Sequence, residues 1–128
     1  MSDPARLVLV ADDHPDSRAV FRAILEHHGR IVLDVCDGEA CLRVARERRP
    51  DVIVLDLRMP AITGWDVALH LKRDPATAGI PLLAVTASAF PDDHARALEA
   101  GCSRVLVKPV GVRELLASVD ELHAGRAG

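Results

Sequence analysis

Aromatic residues are nearly missing: Phe21, Phe90 and Trp65 are the only ones in 128 residues, and there is no tyrosine. A core without large rings must be filled by aliphatic side chains, which suits strands buried on both faces of a parallel sheet. No apolar run approaches the roughly 20 residues needed to cross a bilayer, so no membrane partner is expected. Sixteen basic and 19 acidic residues leave a net charge of −3, without the basic excess of a nucleic-acid binder. The three cysteines, Cys36, Cys41 and Cys102, are odd in number and form no C-x-x-C pair. They read as reduced thiols acting as small hydrophobes, and a cytoplasmic location is expected. Residues 1–6 carry no secretory n-region or h-region, in keeping with that. The six histidines show no metal-ligand spacing; His27 and His28 precede Gly29 at a helix end, where partial positive charge meets the dipole. Neither Gly-x-x-x-x-Gly-Lys-Ser/Thr nor Gly-x-Gly-x-x-Gly occurs, so nothing cradles a nucleotide's phosphates.

Short apolar runs and helical patterns alternate five times, which predicts an α/β fold with a parallel sheet. Strands are expected at 6–11, 31–36, 52–55, from Pro81 onward, and in a short run before Lys108. Pro15 and Pro91 fit first-turn positions of helices. Val20, Phe21, Ile24 and Leu25 form one apolar face, and Cys41, Val44 and Ala45 another. Val112, Leu115, Leu116, Val119 and Leu122 make a continuous stripe on the last helix. The right-handed crossover rule places helices on both faces. The architecture expected is a (βα)5 flavodoxin-like doubly wound sheet, five parallel strands in order 2-1-3-4-5, as one domain over 1–128. Its core spans about 6–123, with a frayed tail at 124–128 and no linker or repeat. Trp65 is expected at the surface or half-buried.

Asp12, Asp13, Asp56, Thr86 and Lys108 each sit at or just beyond the end of an apolar run. If those runs are neighbouring strands, three carboxylates, a hydroxyl and an ammonium converge at the predicted switch point beyond strands one and three. Three carboxylates in one crevice repel each other, and a hard divalent cation with oxygen ligands relieves this. Magnesium is the default, with manganese as the alternative. Lys108 and Thr86 add a mobile cation and a donor, the complement of a transferring phosphoryl. Asp56, beside the metal, can take the phosphoryl as a nucleophile and become an acyl phosphate. Singly, each residue has an ordinary explanation: Asp12 and Asp13 as caps of the first helix, Thr86 as a β-branched strand residue, Lys108 as a solvated loop lysine. Asp56 is harder to excuse, because a carboxylate ending a buried strand needs a partner.

These motifs resemble the receiver domains of two-component response regulators over essentially the whole chain. The matches are Asp12-Asp13, the segment Leu55-Asp56-Leu57-Arg58-Met59-Pro60 with Gly64, Thr86-Ala87, and Lys108-Pro109, in order. The resemblance implies a stand-alone response regulator with Asp56 as phosphoacceptor, served by a sensor histidine kinase or a histidine phosphotransfer protein. Asp13 and Asp56 would bind magnesium directly, Asp12 through water, and Arg58 through its backbone carbonyl. Lys108 would pair with the phosphoryl, Thr86 would shift to hydrogen-bond it, and Pro109 would follow a cis peptide. It implies a signalling protein that catalyses only its own phosphorylation and dephosphorylation, acting as a monomer or weak dimer on an unknown downstream protein.

One departure stands out. The family's usual Tyr or Phe three residues before the lysine is Val105 here. Thr86, Ala87, Val105, Pro109 and Phe90 form the expected switch and output set, and Arg58 and Ser88 the expected tuners of phosphate lifetime. Two other readings stay open: a degenerate receiver acting as a phosphorylation-independent interaction module, and a metal-dependent aspartyl phosphatase. Arg58 stands where such phosphatases commonly place a second Asp.

Overall fold

A computed structural model describes residues 6–127. Five strands alternate with five helices: β1 (Leu7–Ala11), α1 (Pro15–His27), β2 (Ile31–Val35), α2 (Gly38–Arg48), β3 (Val52–Asp56), α3 (Gly64–Arg73), β4 (Leu82–Thr86), α4 (Pro91–Glu99), β5 (Arg104–Val107) and α5 (Val112–Ala127). All strand pairings are parallel and the sheet order is β2-β1-β3-β4-β5, as the sequence pattern predicts. β1, between β2 and β3, aligns Leu9 with Leu33 on one side and with Ile53 on the other.

The period-two alternation of strands divides the core into two layers. Val8, Val10, Val52, Val54, Leu83, Val85 and Leu106 pack under α1 and α5, against Phe21, Leu25, Leu115 and Val119. Leu9, Ala11, Ile53, Leu55, Leu82 and Ala84 face α2, α3 and α4. The helices after β1 and β3 therefore lie on opposite faces, which opens a crevice between the carboxyl ends of those two strands.

Local chemistry sets the boundaries. Asp37 accepts the Ala40 N–H at 2.8 Å and Thr63 that of Asp66, capping α2 and α3. Pro15 and Pro91 occupy the first turns of α1 and α4. Gly29 and Gly101 take positive φ just past helices, where a Cβ is strained. Among the described residues no helix is long and apolar enough to cross a membrane.

Three expectations need correcting. Val20 is 54% exposed, because the sheet meets α1 along the Phe21–Leu25 line and leaves its neighbour outside. Val112 is 49% exposed, since it opens α5 before the helix reaches the sheet. Trp65 is only 4% exposed: α4 lies over it, with the Arg96 guanidinium 4.4 Å and that of Arg58 5.4 Å from its ring centre. Helix α5 ends at Ala127, within the segment expected to fray, and residue 128 lies outside the described residues.

Candidate functional site

The carboxyl ends of β1, β3, β4 and β5 meet at one edge, and a polar residue ends or directly follows each of them. Asp12 follows β1, Asp56 ends β3 and Thr86 ends β4; all three are buried. Lys108 follows β5, its backbone N–H donating to the Thr86 carbonyl at 2.8 Å, and the Lys108–Pro109 peptide is cis. Lys108 Nζ reaches back over the sheet edge, 2.9 Å from Asp12 Oδ2 and 3.4 Å from Asp56 Oδ2. The expected convergence of Asp12, Asp56 and Lys108 is thus present as direct contacts.

One ammonium between two buried carboxylates cannot serve both equally. Burial alone would raise Asp12, but the His14 N–H (2.9 Å to Oδ1) and the Lys108 ammonium outweigh it and hold that carboxyl below its ordinary range. Asp56 goes the other way. Burial, reinforced by the Asp12 charge, outweighs the Arg58 N–H (3.0 Å) and Lys108, and its pKa is raised. For Lys108, burial is more than offset by the two carboxylates, so its pKa is raised as well.

Neither aspartate caps α1. The N-cap is His14, without a side-chain cap, while Asp12 folds back onto the His14 N–H. Asp13 Oδ1 is buried and accepts no hydrogen bond; the His14 ring lies 3.2 Å away without donating to it. Ligand atoms of Asp12, Asp13, His14 and Asp56 all fall within 4.8 Å of one another, the one such group among the described residues. A cluster of carboxylate oxygens, one of them buried without a hydrogen bond, fits a hard divalent cation. His14 was passed over in the sequence, where no histidine has ligand spacing; its signal was adjacency to the acidic pair.

Thr86 Oγ1 accepts the Ser88 N–H at 3.1 Å, and no hydrogen bond links it to Asp56 or Lys108. Arg58 and Ser88 converge on a residue not singled out in the sequence: Asp93 Oδ2 accepts from Ser88 Oγ at 2.5 Å and from Arg58 Nη2 at 3.2 Å. Ser88 and Arg58 together hold the Asp93 carboxyl below its ordinary range. Ala87 is exposed, Phe90 is 73% exposed, and Val105 packs half-buried against the α2–α4 side of the core. Pro109 lines a cavity of about 420 Å³ with Asp16, Val20, Phe21 and Lys108, beside the crevice.

Comparison with known proteins agrees with this geometry. The family model of the response regulator receiver domain matches residues 8–120. The polar-differentiation response regulator DivK of Brucella anthropi is 32% identical over 112 residues, 88% of this chain and 91% of that protein. Protein PilH of Pseudomonas aeruginosa is 32% identical over 118 residues, 92% of this chain and 98% of its own length. Among solved structures, the receiver domain of a sensor histidine kinase from Pseudomonas aeruginosa superposes with a TM-score of 0.88 at 28% identity. It covers 94% of this chain and 99% of that one, and it holds a magnesium ion coordinated in its active-site cleft.

Proposed function

The chain belongs to the response regulator receiver family, and we propose that it accepts a phosphoryl group on Asp56 from a phosphohistidine donor and signals through phosphorylation-dependent protein contacts or onward phosphorelay. The observation that carries this reading is the Asp12–Lys108–Asp56 triad: the lysine leans on Asp12 and leaves Asp56 the less neutralised of two buried carboxylates. Asp13, Asp56 and Asp12 (through water) would hold magnesium, with the Arg58 carbonyl completing the protein ligands. Bound there, the ion would neutralise anionic oxygens in the crevice.

The chain's own groups account for the rest. An Asp56 oxygen attacks phosphorus, the new O–P bond forming as the donor's P–N bond breaks, and the bonding pair leaves with the imidazole, which takes up a proton. Lys108 Nζ, 3.4 Å from Asp56, needs only to swing from Asp12 to meet the arriving charge. Thr86 exchanges the Ser88 N–H for the phosphoryl oxygen, donating its hydroxyl. The cavity bounded by Val20, Phe21 and Pro109 adjoins Lys108 and suits the apolar side of a helix that bears the donor histidine. Partners are thus a sensor histidine kinase or phosphotransfer protein and a downstream protein. Catalysis is confined to the protein's own phosphorylation and dephosphorylation. Cytoplasmic residence rests on the three free thiols.

Intact mass after incubation with magnesium and a small-molecule phosphodonor tests the reading. One added phosphoryl, absent from Asp56→Asn and from a chelated sample, supports it. No adduct with several donors on folded protein refutes it in favour of a phosphorylation-independent interaction module, the reading that Val105 favours.

A further inference from the structure

The crevice is tied to α4 by a chain of hydrogen bonds that starts at a reacting residue. Thr86 Oγ1 accepts the Ser88 N–H, Ser88 Oγ donates to Asp93 Oδ2, and the same carboxylate oxygen accepts from Arg58, two residues beyond Asp56. Asp93 sits in the first turn of α4, so its single side chain ties together the β3–α3 loop, the β4–α4 loop and the start of a helix. Three more contacts brace this junction. The Asp93 carbonyl accepts from Trp65 Nε1 at 3.2 Å, His94 Nε2 donates to the Ser88 carbonyl at 2.8 Å, and the Phe90 N–H donates to Ser88 Oγ at 3.2 Å. Beside it stands Phe90, exposed at the N-cap of α4.

Resting on the phosphoacceptor reading above, we propose that Asp93 is the positioning residue through which the state of the crevice reaches helix α4, by way of Ser88 and Arg58 rather than an aromatic at position 105. Thr86 has one hydroxyl oxygen within reach of the Ser88 N–H. When a phosphoryl on Asp56 draws that hydroxyl away, the N–H loses its acceptor and the β4–α4 loop must re-form. Ser88 then leaves Asp93, and the new negative charge competes for Arg58. Both donors to Asp93 Oδ2 are affected by one event, so the first turn of α4, with Phe90 before it, loosens together with the crevice. Coupling of this kind is reciprocal, and removing the shared residue removes it in both directions.

Hydrogen exchange over residues 88–97, with and without magnesium plus beryllofluoride as the phosphoryl mimic, reads this coupling. In the unsubstituted protein, ligand addition is expected to change exchange of the Asp93 and His94 amides at least fivefold. Asp93→Ala should bind the mimic within threefold of normal yet show less than a twofold response. Asp93→Asn keeps an acceptor for Ser88 and should retain at least half of the response. Ser88→Ala breaks the same link from the other end and should lose the response, which covers misfolding of the Asp93 variant. If Asp93→Ala raises exchange equally in both states, or α4 of the unsubstituted protein ignores the mimic, the inference is overturned while the phosphoacceptor reading stands. If the unsubstituted protein binds no mimic, both fall.

Discussion

Gly64 opens α3 directly beneath Asp56, the proposed phosphoacceptor. A Cβ placed on it would lie 2.4 Å from the Asp56 carbonyl oxygen and 2.6 Å from the Leu57 Cα. Both are backbone atoms, so no side chain can rotate aside. Ordinary contact begins near 3.4 Å, and Gly64→Ala must therefore drive the β3–α3 loop and the helix apart by about 1 Å. Overpacking costs about 1–3 kcal/mol, and rigid backbone on both sides puts this case in the upper half. The Gly64 N–H donates to the Leu57 carbonyl at 3.0 Å, and stretching that bond adds up to about 1 kcal/mol. Alanine's better helix propensity returns at most about 1 kcal/mol. The net is a loss of about 2 kcal/mol, measurable as a lowered urea midpoint at unchanged m. Misplacing a reacting group by about 1 Å can cost about 100-fold in rate, so phosphorylation of Asp56 should slow by one to two orders of magnitude. Gly79→Ala, where a Cβ meets nothing within 4 Å, is the control and should change neither quantity. A Gly64→Ala protein within 0.5 kcal/mol of the parent would show that the loop yields freely, and the argument from close backbone approach would be wrong.

The remaining expectations concern the other polar groups. His14 Nδ1 lies within 3.2 Å of both Asp12 and Asp13 oxygens, and imidazole suits transition metals better than magnesium. Manganese should thus be preferred over magnesium by a margin that falls severalfold in His14→Ala; calorimetric titrations giving the same ratio for both proteins would rule out a ligand role. Burial pushes the Cys41 thiol up to about 12 and the Cys102 thiol to about 11, from an ordinary 9.0. The folded state resists ionising them, so stability is full below pH 9 and falls as pH rises toward 11–12, by about 1 kcal/mol per thiol at pH 10. With no tyrosine and only Lys72 and Lys108 as lysines, few other groups obscure this; a Cys41→Ala/Cys102→Ala protein losing as much between pH 8 and pH 10 as the parent would refute it. Alkylation of native protein followed by mass spectrometry should label the exposed Cys36 first, Cys41 and Cys102 reacting only on unfolding.

The legible parts of this chain are those in which one strand carries its own instruction. Val52–Leu55 is apolar throughout because both faces are covered, and Asp56 marks where the strand ends. The same logic places Asp12, Thr86 and Lys108, so most of the site could be read as punctuation at strand ends. Helix faces were read less well at their margins. A stripe such as Val20, Phe21, Ile24 and Leu25 is wider than the line along which a helix meets a sheet, and nothing local tells which edge stays wet. The residues missed or misjudged, His14, Trp65 and Asp93, owe their surroundings to other elements. Trp65 is buried because Arg96 on α4 covers it, and Asp93 matters because two loops converge on it, relations that spacing along the chain does not encode.

On the proposed reading, charge crowding accounts for both a reactive Asp56 and its need for a partner. In the resting crevice Lys108 bonds best to Asp12, so Asp56 keeps a raised pKa and an oxygen with only long contacts, to Lys108 at 3.4 Å and to the His14 ring at 3.6 Å. A carboxylate so placed is basic for its kind, hence more nucleophilic than a fully paired one. The cost is that an arriving phosphoryl brings further negative charge into a site already short of cations. Lys108 can cover part of it only by leaving Asp12, which would then stand buried without its ammonium. A second positive charge near Asp13 would relieve that deficit: the buried Asp13 Oδ1 accepts no hydrogen bond and has the His14 ring 3.2 Å away. On the proposed reading, acceptor reactivity and dependence on a divalent ion would be two consequences of one shortage, and a substitution that relieved it, such as Asp12→Asn, would lower both together.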